Sequence, residues 1–184
     1  MVFFTSDLHL GHQNIIRHCS RPFSDVDEMN HTLIDNWNSR VARNDEVWIV
    51  GDFSFRSEQD IPSYLEKLKG RKHLIIGNHD GSWMKKADWS TSFESIDMLK
   101  YFSLDGHEIV LCHYPMMCWP HSNRGSYLVY GHIHGNTDMV FWPLIRDNPF
   151  MLNAGVDVNG FYPVTFAELV KNNEAFKESH PAET

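Results

Sequence analysis

LIIGNHDGSW, residues 74–83, passes directly from an apolar run to three polar side chains suited to metal binding or proton transfer. Leu74, Ile75 and Ile76 read as a short strand buried on both faces, because a covered parallel sheet gives apolar runs rather than alternation. Gly77 allows a turn or a close backbone approach that a side chain would block. Asn78, His79 and Asp80 then arrive together. A turn explains them, since Asn, Asp and Gly are common turn residues. A site at the end of a strand explains them equally well, so the rest of the chain has to decide.

The same arrangement recurs along the chain. Asp7 and His9 follow the run at Val2–Ser6, Asp52 follows Val47–Val50, His113 follows Ile109–Cys112, and His132 with His134 follows Tyr127–Tyr130. With the opening stretch, five strand exits each deliver a metal-type ligand, and the carboxyl ends of strands are where sites assemble in open α/β sheets. Asp7 and His9 are two apart, as are His132 and His134. In extended backbone such a pair faces one side, leaving Leu8 and Ile133 for the core. Gly11, Gly51, Gly77, Gly131 and Gly135 sit beside these candidates, where backbones must pack closely. Each residue alone has an ordinary reading: a half-buried histidine, a turn aspartate, an Asx-turn at Asp80. The recurrence in order does not.

Composition narrows the classes. A chain of 184 residues, 42% hydrophobic and 22% charged, suits one globular domain with a full core. A net charge of −8 and a pI near 5.8 argue against a protein that tracks long duplex nucleic acid. Twelve histidines are many for this length, and histidine is the commonest metal ligand. Cys19, Cys112 and Cys118 form no C-x-x-C and are odd in number, so neither a disulfide framework nor a thiolate zinc site is indicated. Cys112, in an apolar run, reads as core rather than nucleophile. A reducing cytosol fits, with no membrane-length apolar run and no signal-peptide pattern at the start.

Further strands are expected at Leu99–Ser103, Phe150–Leu152 and Tyr162–Val164, with the opening strand at His73–Ile76. Met29, Leu33 and Trp37 recur every four residues and predict an amphipathic helix over 24–38, with Ser24 and Asp27 resembling a capping box. A second helix is expected over 62–70, between Pro62 and Gly70. A short third opens at Thr165, capped with Glu168. A domain over 1–171 is expected, followed by a polar, frayed tail from Asn172 to Thr184. Helices separate strands early and strands cluster late, the order of an α/β core.

The series Asp7-x-His9, Gly51-Asp52, Gly77-Asn78-His79-Asp80, His113 and Gly131-His132-x-His134 resembles the calcineurin-like metallophosphoesterase superfamily in order and type. The closing GVDVNGFYPVTFAEL is similar to the end of its small bacterial and phage members. The resemblance implies a four-layer αββα sandwich, a single domain without a cap, with two metals at the strand ends. It implies that Asp7, His9, Asp52 and His134 hold one ion, and that Asp52, Asn78, His113 and His132 hold the other, with Asp52 bridging. It implies that His79 is an acid beside the leaving group, oriented by Asp80.

That chemistry suits the residue types. Two metal ions clamp a phosphoryl group and lower the pKa of a water between them. Among the ligands only Asp7 and Asp52 are anionic, so two divalent ions leave a net charge of about +2 to attract phosphate. Mixed nitrogen and oxygen donors favour transition metals over calcium: Mn first, then Fe, Zn, Ni or Co. His12 and Asn14 are candidates for contact with the phosphate, as are Arg21 and Arg124 through bidentate pairing. In the loop 114–126, Trp119, His121 and Arg124 offer a lip for a nucleobase, or a plain aromatic surface loop. The expected substrate is a small phosphodiester, nucleotide-like ones included. A phosphomonoesterase is the alternative, though GDFSFR and Asp80 depart from the protein-phosphatase pattern. A nuclease is weighed too, since Asp7 to Gly11 resembles the superfamily's repair nucleases, but the length and charge of their added DNA-binding domains are missing. A retromer-like scaffold would lack the filled ligand set.

Overall fold

Strands that are apolar on both faces need a cover on each, and here two sheets supply one cover for each other. The computed structural model describes residues 1–55 and 60–181. In chain order the elements are β1 (Val2–Thr5), α1 (Gln13–His18), α2 (Val26–Arg40), β2 (Glu46–Val50), α3 (Ile61–Lys67), β3 (Arg71–Ile75), α4 (Gly81–Met84) and β4 (Ser95–Asp97). There follow β5 (Leu99–Leu104), β6 (His107–Cys112), a 3-10 turn (Ser122–Arg124), β7 (Tyr127–Tyr130), α5 (Trp142–Arg146), β8 (Met151–Asn153), β9 (Val164–Thr165) and α6 (Phe166–Ser179).

The first sheet has the order β4-β3-β2-β1-β9, and the second β5-β6-β7-β8. Strands β1 to β4 are mutually parallel, with Phe3 opposite Val47 and Val47 opposite Lys72. Strand β9 is antiparallel to β1. In the second sheet β6, β7 and β8 are parallel, and β5 joins β6 through a tight hairpin. Its turn residues, Asp105 and Gly106, both have positive φ, as the twist of a two-residue hairpin requires.

The strand period of two divides the side chains between layers. Phe3, Val47, Ile49 and Leu74 face α2 and α3, packing with Met29, Leu33, Trp37, Ile61 and Leu65. Phe4, Trp48, Val50 and Ile75 face the other way and meet Ile109, Leu111, Val129 and Leu152 of the second sheet. The far side of that sheet, including Val110, Leu128 and Met151, lies under Trp119, Trp142 and Ile145. The architecture is therefore the αββα sandwich expected from the sequence.

Several local expectations differ. Helix α2 is capped by Asp25, whose carboxylate accepts from Glu28 N, while Ser24 donates to the Glu28 carboxylate. The capping pair thus lies one residue beyond Ser24 and Asp27. The cap at Thr165 and Glu168 is as expected, but the helix it opens runs to Ser179. Residues 172–179 are not a frayed tail. Asn173 is buried, donates to Leu169 O and Asn153 O, and accepts from Asn153 N, so a polar side chain anchors the helix to β8. Residues 182–184 of the expected tail lie outside the described residues. Helices α1, α4 and α5 and strand β4 were not foreseen. They span three to six residues, too short for a periodicity to register.

Candidate metal centre

The carboxyl ends of β1, β2, β3, β6 and β7 meet at one place. Asp52 stands at its middle: its Oδ2 lies 3.5 Å from His9 Nε2 and 3.4 Å from His113 Nε2. Asp7 Oδ1 lies 3.9 Å from His134 Nε2. The Asn78 side-chain oxygen lies 3.1 Å from His113 Nε2 and 2.9 Å from His132 Nδ1. Ligand atoms of Asp7, His9 and His134 fall within 4.8 Å of one another, and so do those of Asp7, Asp52 and His113. All seven candidates from the sequence are thus brought together.

The backbone reaches this arrangement by an unexpected route. Asp7, His9, Asp52, His132 and His134 all have positive φ, between 51° and 72°. The two x-spaced pairs therefore do not converge through extended backbone; each ligand sits in a left-handed kink. Such residues cost on the order of 1–3 kcal/mol each and persist where surroundings fix them. Here Asp7 N donates to Gly51 O, His9 N to Asp52 O, and His132 N to the Asp7 carboxylate. Glycine is required where these loops touch: a Cβ on Gly51 would strike the His113 ring, and one on Gly77 the Asp52 carboxyl.

The electrostatics favour a cation. Asp7 and Asp52 are both almost wholly buried, and burial pushes the Asp7 carboxyl above its ordinary range. Burial also opposes the Asp52 charge, but the hydrogen bond and charge of His113 outweigh it and hold Asp52 down to about 2. Burial pushes His9 down to about 2, so its imidazole is neutral and free to coordinate. Its Nε2 is buried without a hydrogen-bond partner among the described residues. An orphaned ring nitrogen aimed at a buried carboxylate fits a metal ion between them. His113 Nδ1 lies 2.9 Å from Val50 O and donates to it, which leaves Nε2 as the atom turned to the centre. The donor set of carboxylate, imidazole and amide oxygen fits a transition metal.

The remaining candidates divide. His79 lies beside the cluster, Nε2 4.0 Å from Asp52 Oδ2, with a side chain 35% exposed. Its backbone N–H donates to Asp52 Oδ1. Asp80 does not orient it. Its buried carboxylate accepts instead from Asp52 N, Phe53 N and Gly77 N, which ties the second and third loops together. His12 stacks on Phe55 at 4.0 Å and lies 6.1 Å from the His79 ring. Asn14 is exposed on α1. Arg124 is exposed on the 3-10 turn, after His121, which pairs with Tyr101. Trp119 is no lip: it is buried and donates to Ser126.

Arg21 is the clearest correction. It is buried, donates to Leu8 O and Asp7 O, and pairs with Asp157. Its charge is already engaged, so it is no phosphate clamp. Asp157, which the sequence reading passed over, in turn lies 2.8 Å from His134 Nδ1. Burial opposes protonation of His134, but this hydrogen bond heads the interactions that push it up to about 10. A signal existed: Asp157 follows Gly155 after β8, the pattern of strand, glycine and aspartate already met at Asp52.

Comparison with known proteins agrees with this geometry. The sequence model of the calcineurin-like phosphoesterase superfamily domain matches residues 1–156. An uncharacterized protein of Methanocaldococcus jannaschii is 33% identical over 172 residues, covering 92% of this chain and 89% of its own. The Gene 66 protein of Mycobacterium phage L5 is 33% identical over 162 residues, covering 72% of this chain and 76% of its own. The crystal structure of a protein of unknown function from Aquifex aeolicus superposes with a TM-score of 0.72 at 27% identity, over 93% of this chain and 98% of that one.

Proposed function

We propose a substrate and a division of labour from one premise: this chain belongs to the calcineurin-like phosphoesterase superfamily and is, in general terms, a metal-dependent phosphoester hydrolase. Its substrates are small phosphodiesters, nucleotide-like ones included, hydrolysed at a two-metal site. The observation that carries this reading is the convergence of seven candidate ligand side chains, Asp52 at their middle, with the buried His9 Nε2 left without a hydrogen bond among the described residues.

Asp7, His9, Asp52 and His134 would hold one ion, and Asp52, Asn78, His113 and His132 would hold the other, with Mn²⁺ the first choice. Asp52 would serve both ions, since its carboxylate faces both His9 and His113. When bound, the ions polarise the phosphoryl oxygens and lower the pKa of water. His79, half exposed and beside Asp52, gives the leaving oxygen its proton. Asp80 supports it indirectly, by fixing the loop that carries Asn78 and His79. His12, stacked on Phe55, lines the same side and contacts the substrate. No helix of the described residues is long and apolar enough to cross a membrane, and a cytoplasmic location belongs to the proposal.

Hydrolysis of bis(p-nitrophenyl) phosphate and p-nitrophenyl phosphate with Mn²⁺ tests the substrate class. The diester is expected to show the higher kcat/KM. A dominant monoester rate would make the protein a phosphatase, and no turnover with any transition metal would make it a scaffold.

A further inference from the structure

We propose that Asp157, clamped by Arg21, is a positioning residue for metal binding that fixes the His134 ring with Nε2 turned to the ion. The inference rests on the two-metal reading above, and its contacts are its own. One carboxylate oxygen of Asp157 accepts from Arg21 Nε at 2.8 Å. The other accepts from an Arg21 terminal nitrogen at 2.9 Å and lies 2.8 Å from His134 Nδ1. A carboxylate accepts only, so His134 Nδ1 must carry the proton. That leaves Nε2, on the Asp7 side, as the atom for a metal. Asn153 steadies the same residue from the backbone, donating to His134 O at 2.7 Å.

Arg21 extends the device to the other half of the site. The terminal nitrogen that meets Asp157 also donates to Asp7 O at 2.7 Å, and the other terminal nitrogen donates to Leu8 O at 3.1 Å, across the kinked segment holding Asp7 and His9. One fork therefore braces the Asp7–Leu8–His9 backbone at Asp7 O and Leu8 O and, through Asp157, the ring of His134. The Arg21 side chain is fully buried and that of Asp157 nearly so. Neither charge is stable there without the other. A lysine supplies a charge but not the fixed fork. The three residues so braced, Asp7, His9 and His134, would share one ion with Asp52, whereas Asn78, His113 and His132 make no hydrogen bond or ion pair with Arg21 or Asp157 among the described residues. The device should act on one metal site and spare the other.

Calorimetric titration of Mn²⁺ into the metal-free protein tests this. Wild type is expected to take up two ions per chain. Asp157→Ala should weaken one of them by about 10–100-fold and leave the other unchanged. Turnover lost at limiting Mn²⁺ should return at saturating Mn²⁺, and Arg21→Lys should weaken the same ion. Asp157→Asn keeps the shape and an acceptor oxygen but leaves the Arg21 charge unpaired, so its thermal midpoint should fall less than that of Asp157→Ala, with a smaller loss at the same site. Two ions weakened together, with the midpoint lowered and no rescue by metal, would make the pair merely structural and overturn the proposal. Unchanged affinities in Asp157→Ala would overturn it as well. A wild-type chain that takes up no Mn²⁺ would overturn the two-metal reading itself, a result distinct from either.

Discussion

Asp52→Asn is expected to reduce turnover by about three orders of magnitude or more and to leave fewer than two tightly bound ions per chain. Asp52 Oδ2 lies 3.5 Å from His9 Nε2 and 3.4 Å from His113 Nε2. An amide would remove the negative charge that the proposed pair of cations would share, and offers a single coordinating oxygen. Losing about 4 kcal/mol of charge stabilisation corresponds to a factor of about 10³ in rate. The substitution keeps the shape of a buried side chain, and its Oδ1 can still accept from His79 N. Metal analysis after gel filtration, with initial rates on the same sample, reads both effects. Two tightly held ions with normal turnover would remove Asp52 from the bridging position.

His79→Ala is expected to lose about 10²–10⁴ in rate on a diester with an alkyl leaving group, while keeping both ions. The loss should be much smaller for a p-nitrophenyl diester, because p-nitrophenolate departs without a proton. Asn78→Ala, one residue away, should fail differently: it should weaken one ion, slow both substrates together and recover partly in excess metal. The contrast follows from placement. The Asn78 side-chain oxygen points between His113 and His132, whereas the His79 ring stands over His9, 35% exposed. Equal slowing of both substrates by His79→Ala, or a lost ion, would move His79 from the acid to the ligand set.

The opening stretch shows what was legible and what was not. Leu74 and Ile75 announced a strand covered on both faces, and Gly77 a close approach; both features follow from local chemistry and both are present. The candidate ligand positions were legible because each stands directly after an apolar run. The partners of Asp80 were not. A carboxylate next to His79 in sequence looks like its orienter, but the backbone turns it to three N–H groups of two loops. Arg21 was misread for a similar reason: nothing local reveals that an arginine 136 positions away from Asp157 will be buried against it. Spacing also misled at Asp7-x-His9 and His132-x-His134, where left-handed backbone replaces extended strand. Tertiary contact settled these points, and sequence distance hid them.

The most direct test of the account is to titrate metal back into exhaustively chelated protein while following bound ions and diester hydrolysis together. The chelated protein should be inactive, and Mn²⁺ should restore turnover that levels off when two ions per chain are bound. Full turnover at negligible metal content, or activity that is complete at one ion with no second binding event, would contradict the two-metal phosphoesterase described above.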